Sequence, residues 1–180
     1  MSTYVSSKQD EKAISLSDLK NYFQSFVKPA EIHAIGIEWE TLGVDPSTGK
    51  AIPYSGPNGI EAVLTRLSEK FGYESIENNG RLIALHRGAD YVGLEPGGQL
   101  ELSAGPVKTL HDVANQLNRF RGELLSVSGN FPAAWLGIGF HPFSSRAAVE
   151  WVPKTRYEIM KNFLGARGSL AHDMMKRTAA

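Results

Sequence analysis

Two short runs place acids where chemistry could use them. The first is Ile35-Gly36-Ile37-Glu38-Trp39-Glu40-Thr41, and the second is Leu94-Glu95-Pro96-Gly97-Gly98-Gln99-Leu100-Glu101-Leu102-Ser103. In an extended chain, successive side chains point to opposite faces. Glu38 and Glu40 then share one face, while Ile35, Ile37 and Trp39 take the other. Gln99, Glu101 and Ser103 likewise share a face, opposite Leu100 and Leu102. Like charges at i and i+2 repel, so the pattern asks for a cation. Carboxylate oxygens on rigid strands suit Mg²⁺ or Mn²⁺, hard ions that prefer oxygen. An edge strand with a solvated outer face gives the same pattern at Glu38 and Glu40. Glu95 by itself is an acid before a turn. Gly97-Gly98 fits either a bulge or a backbone left bare for a close ligand. The residues alone therefore allow a metal-binding carboxylate sheet in either a phosphoryl-transfer enzyme or a metal-dependent hydrolase.

The elements that must position these acids are readable from periodicity and caps. Residues 1–13 are polar and read as a flexible tail, with one domain over 14–180. Ser15-Leu16-Ser17-Asp18 resembles a capping box ahead of Leu16, Leu19, Phe23, Phe26 and Val27 at helical spacing. A strand is expected over 34–42, then a long Gly/Pro-rich loop over 43–58. A helix over 59–71 carries Ile60, Val63, Leu64 and Leu67, with Asn58 as its N-cap. Asn78-Asn79-Gly80 signals a hairpin between strands at 73–76 and 81–86. Strands at 91–94 and 99–103 flank Pro96-Gly97-Gly98. Thr109 caps the longest helix, with Val113, Leu117, Phe120 and Leu124 on one stripe. A continuous apolar strand is expected over 135–140, then helices over 155–164 and 169–176, the second capped by Ser169. Hairpin clusters with helices between them give an α+β fold with a mainly antiparallel sheet. The last helix runs to the final residue without a stop signal, so the chain reads as cut inside a domain.

Composition narrows the functions. Lys plus Arg and Asp plus Glu are 19 each, so no basic surplus marks a nucleic-acid partner. No Cys is present, which removes disulfide and thiolate chemistry. The polar start MSTYVSSKQDEK has no secretory h-region, and no apolar run approaches the roughly 20 residues of a membrane helix. A cytoplasmic protein without membrane contact is the expectation. Ser47-Thr48-Gly49-Lys50 lacks the spacing of a phosphate loop, and Gly137-Ile138-Gly139 does not complete a dinucleotide fingerprint. The five His residues form no H-x-x-x-H pair, and only His141 stands where a ligand role is worth weighing, against the more common satisfied loop histidine.

The runs GIEWETLG, LEPGGQLELS, GIGFHP, TRYEIMKNFL and GSLAHDMMKRT occur in that order over residues 30–178. Together they resemble the plant and proteobacterial type of glutamate–cysteine ligase. The resemblance implies a glutamine synthetase-like fold, a curved and mainly antiparallel sheet with flanking helices, here incomplete at its C-terminus. It implies that ATP phosphorylates the side-chain carboxylate of L-glutamate, and that the amine of L-cysteine attacks the γ-glutamyl phosphate, the first step of glutathione synthesis. Mg²⁺ would neutralise the phosphates, with Mn²⁺ as a substitute. By position in the matching runs, Glu38, Glu40, Glu95 and Glu101 would hold metal, and Gln99 would contact metal-bound water or substrate. Arg156 would clamp a substrate carboxylate, a role its bidentate fork suits. No catalytic acid or base and no ATP-contacting residue is assigned.

Members of that family are more than twice this length, and the run matching DMMKRT leads into a further core strand. The cysteines of redox control in plant members have no counterpart here. Three readings remain open: the N-terminal part of a glutamate–cysteine ligase, a γ-glutamyl ligase for another amine, or a non-catalytic binding domain or fragment. The isolated chain is expected to turn over little and to self-associate through an uncovered sheet edge.

Overall fold

A computed structural model describes residues 15–129 and 133–179. The tail expected over 1–13 lies outside them. Six strands form one antiparallel sheet in the order β2-β3-β4-β5-β1-β6. They are β1 (Ile35–Val44), β2 (Glu74–Asn78), β3 (Arg81–Arg87), β4 (Asp90–Leu94), β5 (Leu100–Val107) and β6 (Ala134–Leu136). Five α-helices accompany them among the described residues: α1 (Leu16–Ser25), α2 (Ile60–Phe71), α3 (Leu110–Ser128), α4 (Thr155–Gly165) and α5 (Leu170–Arg177). The α+β expectation is met.

Helices α2 and α3 cover one face. The stripe Ile60, Val63, Leu64 and Leu67 is fully buried, as are Phe120 and Leu124 of α3. They pack with Leu85, Val92, Leu100 and Leu102 of the central strands. Trp39 meets Phe120 edge-on, with ring centroids 6.1 Å apart, which fixes the apolar side of β1 against α3. Burial on this scale is the main favourable term holding the sheet.

Local signals set the turns. Asn79 (φ 53°) and Gly80 (φ 71°) both adopt the left-handed conformation of a tight hairpin between β2 and β3. One extra residue, Ile83, breaks the register between Ile76 and Glu77 on the partner strand. Ser15 and Thr109 cap α1 and α3 by accepting from the amides of Asp18 and Asp112.

Three expectations change. The cap of α2 is Gly59, not Asn58, and a Cβ there would lie 2.4 Å from the Ser55 carbonyl. The first amides of α2 are met by main-chain carbonyls instead, Ile60 donating to Pro53 and Glu61 to Tyr54. The strand over 135–140 shrinks to Ala134–Leu136 beside β1, and beyond it the chain turns to the end of α5, where Phe140 bridges Thr178 and the His141 amide donates to the Arg177 carbonyl. Ser169 is already helical and makes no side-chain cap. The helices flank both faces of the sheet, since side chains of α4 meet the face opposite α2 and α3. The apolar residues of α1, Leu16, Leu19, Tyr22, Phe23, Phe26 and Val27, are exposed.

Candidate functional site

Register decides which acids meet. Across the β1–β5 pair, Glu38 stands opposite Ser103 and Glu40 opposite Glu101, while Trp39 stands opposite Leu102. Directly paired residues share a face, so Glu38, Glu40, Glu101 and Ser103 all project from the face opposite α3. Across the β4–β5 pair, Tyr91 stands opposite Ser103 and Gly93 opposite Glu101. Glu95 continues that odd-numbered row just beyond β4. Placing Glu40 directly across from Glu101 sets like charges face to face, which destabilises a bare sheet.

A narrow cleft of about 120 Å³ lies over this row. Tyr91, Gly93, Glu95 and Glu101 line it from the sheet, and Lys154, Arg156, Tyr157 and Met160 line it from α4 and the residue before it. Gly93 keeps the cleft open, since a Cβ there would come within 2.9 Å of the Tyr91 ring. A wider groove of about 790 Å³ adjoins it and is lined by Glu38, Ser103, Ile76, Ile83, Tyr91 and Lys154. The narrow cleft has room for an ion and one small oxyanion, and only the groove is in the size range of a whole small ligand.

The start of α4 is held firmly. Thr155 donates its amide (2.9 Å) and its hydroxyl (2.9 Å) to the side chain of Asn78 on the hairpin. The buried Tyr157 hydroxyl donates to the Leu94 carbonyl, and the Val152 amide donates to the Pro96 carbonyl (2.9 Å). Lys154 and Arg156 are therefore carried on a fixed frame beside Glu95.

Burial pushes the Glu95 carboxyl above its ordinary range, and the charges of Glu101 and then Glu40 push it the same way. Burial also raises the Tyr91 phenol, with Glu101 and Glu95 adding to it, so that hydroxyl is a hydrogen-bond donor at neutral pH. Lys154 is shifted down, chiefly by burial, with Glu95 opposing the shift and Arg156 adding to it. The Ser103 hydroxyl donates to Glu101 (2.7 Å).

Of the residues singled out in the sequence, Glu95, Glu101 and Arg156 line one cleft, and the charge of Glu40 reaches it. Glu38 shares the face but lines the wider groove. Gln99 has another employment. It is 2 % exposed, and its amide donates to the carbonyls of Met175 (3.2 Å) and Thr178 (2.6 Å) while its oxygen accepts from Gly97. That network docks the end of α5, so the Gln99 side chain, expected to meet substrate or metal-bound water, is engaged here by the main chain. Gly97 is bare for the same reason: a Cβ would lie 2.1 Å from the Lys176 carbonyl, so the close neighbour is the chain itself. His141 is 2 % exposed, and neither ring nitrogen finds a hydrogen-bond partner among the described residues. It lines neither the cleft nor the groove.

Lys154, Tyr91 and Tyr157 were missed. Tyr91 was accessible from the alternation 91, 93, 95. Lys154 was accessible as a second cation two residues before Arg156, at a helix start.

The carboxylate row fits a hard divalent ion in its chemistry. All its donors are oxygens, and burial together with the charges of Glu101 and Glu40 holds the Glu95 carboxyl above its ordinary range. Among the described residues, no three His, Asp or Glu side chains already converge as a ligand cage. An ion there would itself draw the carboxylates together. No described helix is long and apolar enough to cross a membrane.

The family model of glutamate–cysteine ligase family 2 matches residues 34–180. Glutamate–cysteine ligase B, chloroplastic, of Oryza sativa subsp. japonica is 36 % identical over 170 residues, covering 94 % of this chain and 34 % of the rice protein. The chloroplastic ligase of Brassica juncea is 34 % identical over 165 residues, 92 % of this chain and 32 % of its own length. That of Arabidopsis thaliana is 34 % identical over 165 residues, 92 % and 31 % respectively. The chain thus spans about a third of the length of these relatives. All three relatives are chloroplastic by name, which overturns the cytoplasmic expectation drawn from the lack of a secretory signal.

Proposed function

The chain belongs to glutamate–cysteine ligase family 2, and from that membership we propose that its open-face cleft is the glutamate-activating part of an ATP- and Mg²⁺-dependent glutamate–cysteine ligase. The reaction passes the γ-phosphoryl group of ATP to the side-chain carboxylate of glutamate, releasing ADP. The amine of cysteine then attacks the acyl phosphate, loses a proton and displaces phosphate, leaving γ-glutamylcysteine. The observation that carries this reading is the meeting of Glu95, Glu101, Lys154 and Arg156 in one cleft on a rigid sheet.

Each residue has a part that its chemistry supports. Glu40, Glu95 and Glu101 would hold Mg²⁺, with Glu38 at the groove side. Bound there, the ion supplies neutralising charge to phosphate oxygens. The Arg156 guanidinium, exposed at the cleft, would clamp a carboxylate of glutamate. The Tyr91 phenol, kept protonated by its surroundings, would donate to a substrate oxygen. Asn78 and Leu94 hold α4 so that Arg156 keeps its distance from the acids.

The test is product analysis with glutamate, cysteine, ATP and Mg²⁺ on the polypeptide that carries these residues. γ-Glutamylcysteine should appear with matching ADP, and Arg156→Ala should raise the glutamate KM about tenfold or more. ADP release that needs neither glutamate nor Mg²⁺, or a KM unmoved by Arg156→Ala, would overturn the proposal.

A further inference from the structure

Among the described residues, several cations are anchored. Arg87 donates to Glu123 (2.8 Å), Arg81 to Glu61 (2.8 Å), and the buried Lys176 to the Arg146 carbonyl (2.6 Å). Lys108 donates to the carbonyls of Glu31 and His33, and Lys70 to that of Ser126. Lys154 differs. It is only partly exposed, and its ammonium makes neither a hydrogen bond nor an ion pair within 4 Å among the described residues. Its one close partner is the Tyr157 ring, 5.0 Å away.

Its position is as informative as its lack of partners. Lys154 lines both the narrow carboxylate cleft and the wide groove, so the residue stands where the two spaces join. Tyr91 is the one other residue lining both. A half-buried ammonium without an anion loses hydration and gains little in return, which is an arrangement that a bound anion corrects. The downward shift of Lys154 by burial agrees with that deficit. Two carboxylates near it, Glu95 and Glu101, face the same cleft but stay beyond ion-pair distance.

Building on the ligase reading, we propose that Lys154 binds the reacting oxyanion, holding at the junction of cleft and groove either the carboxylate of the glutamyl substrate or a phosphate of the nucleotide. Lys154 acts there as a point charge with rotatable donors, which suits a group whose charge moves during transfer. Arg156, two residues on and exposed, takes the carboxylate that does not react. The two cations divide the substrate: Arg156 fixes it, and Lys154 meets the end where the bond is made.

Calorimetric titration of the 180-residue chain tests this with two probes, L-glutamate and the Mg²⁺ complex of AMPPNP, a non-hydrolysable ATP analogue. The variants are Lys154→Met, Lys154→Arg and, as a control for net charge, Arg121→Gln on α3. The expected result is that Lys154→Met weakens one probe about tenfold or more and leaves the other within about twofold, with Lys154→Arg largely restoring it. The probe affected names the source of the oxyanion. Arg121→Gln should change neither. If wild type binds both probes and Lys154→Met changes neither, or weakens both equally as loss of net charge would, the assignment to Lys154 is overturned while the ligase reading stands. If wild type binds neither probe, this chain holds no oxyanion site and the assignment to Lys154 is overturned, while the ligase reading stands or falls on the product analysis above. Should Lys154→Met melt far below wild type, Lys154→Gln is read in its place.

Discussion

Two sets of acids flank the same sheet in opposite surroundings. On the side of α2 and α3, Glu123 accepts from Arg87 through both oxygens (2.8 and 3.1 Å) and from the Tyr73 hydroxyl (2.7 Å). Glu61 accepts from Arg81 through two nitrogens (3.0 and 2.8 Å), from the Leu82 amide and from the Tyr54 hydroxyl. Asp90 pairs with Arg119 and accepts from the Gly105 amide. On the open side, Glu95 feels Glu101 and Glu40 before any cation. Arg81 holds the Glu61 carboxyl below the usual range, while burial and like charge lift that of Glu95. The same residue type thus serves as a closed structural joint on one face and, on the other, as a carboxyl lifted above its ordinary range by burial and like charge. A fold that keeps the second kind forgoes stability there, which is the usual mark of a site made for a ligand.

The comparison can be broken by removing one charge at a time. The largest effect is expected at Glu123→Gln, which leaves the part-buried Arg87 without its counter-charge. Unfolding free energy should fall by about 2 to 3 kcal/mol, and the melting temperature by about 5 to 10 °C in a thermal scan. An unchanged midpoint would mean that the Arg87–Glu123 joint is not structural.

Glu61→Gln should lower stability by about 1 to 2 kcal/mol at neutral pH. The folded carboxyl is depressed below its ordinary value of 4.5, so its contribution is complete above that pH and is lost as pH falls below it. The gap between wild type and variant should therefore close as pH falls below 4.5. A gap independent of pH would show that the amide contacts, not the charge, carry the effect.

The smallest effect has the opposite sign. In chelator, Glu95→Gln should raise stability by about 0.5 to 1 kcal/mol at neutral pH, because it removes like-charge repulsion. The folded Glu95 carboxyl is raised above 4.5, so wild type loses stability as pH rises through that window. The advantage of the variant should vanish below it. A variant less stable than wild type in chelator would place Glu95 among the structural joints.

The sequence was most readable where a rule is local. The period-two split put Glu38, Glu40 and Glu101 on one face and Trp39 on the other, and the β1–β5 register agrees. The Asn79-Gly80 turn and the caps at Ser15 and Thr109 were equally direct. Partners distant in sequence were not readable. Arg87 reaches Glu123 across 36 positions and Gln99 reaches Met175 across 76, so nothing local separated a joint such as Glu123 from an open-face acid such as Glu95. Gln99 sits on the predicted face, but α5 closes over it. Asn58 lost the cap to Gly59 because the loop main chain returns too close for any side chain.

The central claim is that the open-face carboxylates are held apart from stability for an ion and its substrate. Thermal unfolding of wild type and Glu95→Gln, each in chelator and in Mg²⁺, tests it most directly. The variant should melt higher than wild type in chelator. Mg²⁺ should raise wild type by mass action and leave the variant nearly unmoved, so that their order reverses. A variant that melts lower in chelator and responds to Mg²⁺ as wild type does would contradict the claim.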